Sequence, residues 1–183
     1  MRETKVWFGV LLMVASSAVF ANNANATPKN NLLKQSISKE APAAHKAAFV
    51  VSKRSILKKY ENASKLSDKD LYLLLGAVGF EGKKLKEAWA IAKKESNGRP
   101  IAFNGNSRTG DSSYGIFQIN MIGKLGPERR EKFNLRSNSD LFNPVINSQI
   151  AYHMSAGGKN WAAWKGLTER TKAWMKKFPG QYL

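Results

Sequence analysis

Residues 83–96 read Lys-Lys-Leu-Lys-Glu-Ala-Trp-Ala-Ile-Ala-Lys-Lys-Glu-Ser, and residues 115–120 read Gly-Ile-Phe-Gln-Ile-Asn. In the first stretch Leu85, Ala88, Trp89 and Ala92 recur at the spacing of one apolar helix face. Asn97-Gly98 and Pro100 end that helix. On a wheel of about 100° per residue, Glu95 returns to within about 20° of Ala88. It therefore falls on the apolar face, which Lys84, Lys86, Glu87, Lys93 and Lys94 mostly avoid. Burial and the negative end of the helix dipole both disfavour a charge there. That is the setting in which a carboxyl group serves as a general acid near neutrality. The ordinary alternative is a helix-end acid paired with a lysine in solvent.

Working outward, Ser67 with Asp68 and Asp70 opens an earlier helix in capping style, and the Gly79–Gly82 stretch breaks it. Residues 101–113 hold three turn signals, Asn104-Gly105, Thr109-Gly110 and Asp111-Ser112, between short β-capable runs. They read as a small hairpin or irregular loop. Helical periodicity is expected to return from about Tyr114. Asn143-Pro144 is an N-cap with proline at the first helical position. The helix it opens is expected to run to Ala156, before Gly157-Gly158. The Trp-rich stretch from Trp161 to Phe178 reads as one or two further helices.

The start of the chain has the pattern of an export signal. Arg2 and Lys5 precede an apolar run from Val6 to Phe20, too short for a spanning helix, which needs about 20 residues. Small residues place cleavage after Ala21 or Ala26. The expected organisation is a signal peptide over 1–26, a basic and flexible linker over 27–66, and one globular domain over 67–183. Thr27 to Tyr60 carries eight Lys/Arg and a single acid, Glu40. Within it Ser52 to Lys65 has a weak signal for a short basic helix. An uncleaved signal would be the membrane's only hold on the chain.

The composition excludes several classes. The 183 residues include no cysteine, so there is no disulfide framework, thiolate metal site or Cys nucleophile. His45 and His153 are the only histidines, which removes a multi-His metal site. No phosphate loop, GxSxG elbow or HExxH sequence occurs, and neither metal nor cofactor is expected. Thirty Lys/Arg against 13 Asp/Glu give a formal charge of +17. Such a chain seeks polyanions: an anionic envelope, a bacterial wall or nucleic acid. The export signal argues against nucleic acid.

Four pieces follow in order: Glu95-Ser96, then Gly115-Ile116-Phe117-Gln118-Ile119-Asn120, then Asp140-Leu141-Phe142-Asn143-Pro144 with Asn147, then Ala151-Tyr152, Gly157-Gly158, Trp161 and Trp164. Twenty positions separate Glu95 from Gly115. Any one piece is weak; together the set resembles the lysozyme-like muramidase domain of the soluble lytic transglycosylase type, over roughly Leu71 to Gly166. The resemblance implies an α+β fold, mostly helix, with a small hairpin beside a cleft. It implies a peptidoglycan glycan strand as substrate and Glu95 as a single acid/base that leaves a 1,6-anhydro end. It also implies that Ser96 positions the carboxyl, and that Gln118 and Tyr152 line the cleft, with Tyr114 beside them. Each has a plainer reading: a helix-end serine, a capped loop glutamine, a half-buried core tyrosine. Trp161 and Trp164 share a helical face, and core packing is the commoner use of such a pair. A hydrolase of lysozyme type needs a second carboxylate, for which Asp111 is the candidate; its plainer reading is a turn aspartate. A non-enzymatic wall or polyanion binder is the remaining alternative.

Overall fold

The computed structural model describes residues 52–180; the signal segment and most of the basic linker lie outside the described residues. The described chain forms six α-helices and a three-stranded antiparallel sheet, the lysozyme-like α+β architecture expected. Helix α1 spans 52–60. Its last residue, Tyr60, is buried in the core and donates to Asp70 Oδ1 at 2.6 Å. The folded unit thus reaches upstream of Ser67. Helix α2 (Asp68–Val78) starts where the sequence places it. The Ser67 hydroxyl accepts from Asp70 N, and the Asp70 carboxylate accepts from Ser67 N, a reciprocal cap.

Helix α3 (Gly82–Ser96) is the centre of the domain. Its whole middle, Glu87 to Lys93, is buried, not one stripe of it. The reason is that α6 (Glu169–Lys176) packs on α3, as α2 also does. Trp89, fully buried, meets the rings of Trp174 and Phe178 edge-on at 6.2 and 5.8 Å. Removing a side chain of that size from a packed core costs about 3–5 kcal/mol. Two charged residues of α3 are buried with partners. Lys93 lies 2.9 Å from Asp68 Oδ1 and over the rings of Trp174 and Trp89, and Glu87 accepts from Trp161 Nε1 at 3.1 Å.

The sheet departs from the sequence expectation. Strands β1 (Phe103–Asn104), β2 (Ser113–Tyr114) and β3 (Ile119–Asn120) make three strands reaching to Asn120, where helix was expected from Tyr114. Cross-strand pairing puts Phe103, Tyr114 and Ile119 on one face and Asn104, Ser113 and Asn120 on the other. Helix α4 (Leu125–Phe133) follows, then α5 (Pro144–Met154), whose Asn143 cap accepts from Val145 N and Ile146 N. A 3₁₀ turn, Ala162–Trp164, precedes α6. Trp161 and Trp164 are both buried, their rings 5.5 Å apart, so this pair is core. No helix among the described residues is long and apolar enough to cross a membrane.

Candidate active site

Glu95 occupies the last turn of α3. Asn97, in the left-handed region at φ 57°, closes the helix by donating its N–H to Lys93 O, and Gly98 N reaches Ala92 O. The Glu95 side chain keeps 25% of its surface exposed, more open than an apolar-face residue would be.

Its two neighbours are both anchored. Lys94, 11% exposed, sends its ammonium to Glu95 Oε1 at 2.8 Å and to the carbonyl of Trp164 at 2.8 Å. Ser96, buried, donates its hydroxyl to Ile116 O at 2.7 Å and accepts from Arg99 N. The candidate acid is therefore held between the turn at Trp164 and the loop at residues 115–118.

That loop is knit by side chains from three directions. Asn147 of α5, fully buried, accepts from Phe117 N at 2.9 Å and donates to Tyr114 O and Leu141 O at 2.9 and 3.0 Å. Trp164 Nε1 donates to Phe117 O at 2.7 Å. Ser96 takes the carbonyl between them. Gly115, at φ 73°, admits no side chain: a Cβ there would stand 2.3 Å from Asn147 Nδ2 and from Leu141 O. Gln118, also at positive φ, donates its amide to Gly115 O at 2.9 Å and Ala102 O at 3.1 Å. Its side-chain carbonyl oxygen makes no hydrogen bond among the described residues.

The structure joins Glu95, Ser96, Tyr114 and Gln118 through this loop. Tyr114 contributes its backbone carbonyl, while its ring lies against Phe103 and Phe142 at 4.9 and 5.4 Å. The ring of Tyr152 packs edge-on to Phe80, which stacks on Phe117 of the loop, and it covers Gly79 and Gly157. Asp111 belongs to the sheet, where one carboxylate oxygen accepts from Asn104 Nδ2 at 2.6 Å and the other from Ser113 Oγ. Among the described residues, no group of three or more His, Asp or Glu is placed to hold a metal ion.

Lys94 and the clamping role of Asn147 were not among the sequence-derived site residues. Lys94 reaches a carbonyl 70 positions away, which no local pattern encodes. Asn147 did carry a signal: a carboxamide three and four positions before Ile150 and Ala151, on the buried side of α5.

A buried helix that ends beside a side-chain-braced loop and a small sheet is the arrangement expected of a lysozyme-like domain. The family model for the lysozyme like domain matches residues 74–166, just over half of the chain. The chain belongs to that family. It is also similar to lysozyme C, milk isozyme, of Canis lupus familiaris, 42% identical over 65 residues. Those residues are 36% of this chain and 46% of that protein, so the chain spans under half the length of that relative. No solved structure matches the chain.

Proposed function

We propose that this protein is an exported lytic transglycosylase of the bacterial envelope. It cleaves the β-1,4 bond between N-acetylmuramic acid and N-acetylglucosamine in peptidoglycan. The observation that carries the reading is the setting of Glu95: its part-exposed carboxyl group is paired with Lys94, and its chain neighbours on both sides are anchored. Protonated Glu95 gives its proton to the glycosidic oxygen as the bond from that oxygen to the anomeric carbon breaks, with oxocarbenium character at the carbon. The carboxylate then takes the proton of the muramyl 6-hydroxyl, whose oxygen bonds to the anomeric carbon. Water is neither consumed nor released, and one group serves as acid and then base. The unpaired carbonyl oxygen of Gln118 is suited to accept from a sugar N-acetyl N–H. Export rests on the Met1–Ala26 pattern.

Hydrolysis is the second reading, supported by the local likeness to lysozyme C and needing Asp111 as the second carboxylate. The Asp111 oxygens are both engaged by their own hairpin, which favours the single-carboxylate route. Mass spectrometry of products from purified peptidoglycan separates the two. Wild type and Asp111→Asn are expected to release anhydro-muropeptides, and Glu95→Gln none. Reducing-end products that vanish in Asp111→Asn would replace transglycosylation by hydrolysis. Absence of any product from wild type would remove the enzyme reading.

A further inference from the structure

Three hollows adjoin on the side of the domain formed by α4, α5 and the first turn of α3, and all three are lined by His153. One, of about 580 Å³, lies between the 132–136 stretch and α5. The next, about 380 Å³, is lined by Arg129 and Lys132 of α4. The third, about 470 Å³, is lined by Lys84, Tyr152 and Lys159. Together they make a groove floored by Phe133, Ile146, Ile150 and Tyr152.

Its charge is one-sided. Lys84, Arg129, Lys132, Arg136 and Lys159 line it against Glu128 and Asp140. The Asp140 carboxylate is already taken up. It accepts from Arg136 N at 2.7 Å and Ser137 N at 3.4 Å, and lies 3.5 Å from the Arg136 guanidinium. Lys84, Lys132 and Lys159 are exposed and form no ion pair among the described residues. Cations without ion-pair partners, spaced along a groove, fit a linear polyanion whose charges repeat along its length. Lys84 precedes Glu95 by eleven positions on the same helix, about 16 Å at 1.5 Å per residue. None of the three hollows is lined by Glu95, Ser96 or Gln118.

We propose that this groove is a second, non-catalytic binding site for a linear phosphodiester polymer carried on the wall. It would hold the protein on its insoluble substrate while Glu95 works elsewhere on the surface. The choice of a wall-borne polymer rests on the reading of the protein as wall-directed. The binding test below needs no turnover, so failure of that reading and failure of this one are told apart.

The test uses the full chain with Glu95→Gln, which leaves the walls intact. Binding is measured to cell walls that carry a phosphodiester polymer and to the same walls after acid extraction of it. For Lys132→Glu/Lys159→Glu, the dissociation constant for intact walls is expected to rise about 10- to 30-fold. The slope of log affinity against log salt is expected to fall by about 1.5, with no change on extracted walls. In the Glu95-containing protein the same pair should leave turnover of soluble glycan fragments unchanged. Equal loss on both wall preparations, or none on either, overturns the proposal. So does a loss seen with single-stranded DNA and not with walls, which would give the groove to nucleic acid. Lys132→Gln/Lys159→Gln, with half the charge change, should show about half the effect on the logarithm of affinity.

Discussion

Lys94 presents an ammonium 2.8 Å from the carboxylate of Glu95 and is itself fixed by the carbonyl of Trp164. In the proposed cycle Glu95 is neutral when the strand binds and anionic once the leaving oxygen has its proton. A cation fixed beforehand at that point stabilises charge as it develops and needs no reorganisation to do so. Lys94 is on this account a positioning residue, acting through Glu95. Lys94→Met is expected to lower kcat about 100- to 1000-fold, the range for loss of one preorganised donor, with KM little changed. Lys94→Arg should recover part of the loss, since it keeps the charge at a different geometry. Steady-state kinetics on soluble glycan strands checks this, and equal losses in both variants would argue for a merely structural role.

At the scale of elements, the loop at 115–118 is held by polar side chains and not by a ladder of its own. Asn147→Ala strips Phe117 N–H of its acceptor and two carbonyls of their donor, all within the core. Unsatisfied buried groups cost about 1–3 kcal/mol each, so the variant should lose about 3 kcal/mol or more in chemical denaturation. Ser96→Ala loses the bond to Ile116 O and the one from Arg99 N and should cost about 1–3 kcal/mol.

A second inter-element tie joins α1 to α2. The Ser67 hydroxyl first, and then the Tyr60 hydroxyl, hold the Asp70 carboxyl at about 2, below its usual 3.8. A carboxyl whose folded value is depressed adds stability above its unfolded value and loses it as pH falls through the folded one. The contribution of Asp70 is thus complete above about pH 5 and fades between about pH 4 and pH 2. Asp70→Asn should be less stable than wild type by about 1 kcal/mol at neutral pH, the gap narrowing below pH 4. Thermal unfolding between pH 2 and pH 7 tests this, and a gap that stays constant to pH 2 would refute it.

At the scale of the molecule, what the sequence makes legible is what lies close together along it. Ser67 with Asp70 marks the start of α2, and Asn143-Pro144 the start of α5, because caps are local. The strands at 113–120 are two residues each, too short to show a period of two. The buried outer face of α3 was hidden for another reason. Its charges read as solvated until α6, some 80 positions later, brings Trp174 and Phe178 across Trp89. Glu95 stood out on the helix wheel by itself, whereas Gln118 drew notice only as part of an ordered set of motifs. The reach of Lys94 to Trp164 was not, because it exists only once the chain is folded.

The bracing of the 115–118 loop also bears on how the molecule opens. Its clamps come from the end of α3, from α5 and from the turn at Trp164. None of these can let go without exposing buried rings packed on the others. The amide protons of Gly115 and Phe117, bonded to Ala102 O and Asn147 Oδ1, should therefore exchange with solvent only through global opening. In deuterium exchange they should rank with Trp89 and Ile91 of α3, far slower than their place in a loop would indicate. The site would then share the cooperative unit of the core, vanishing with it in a single transition.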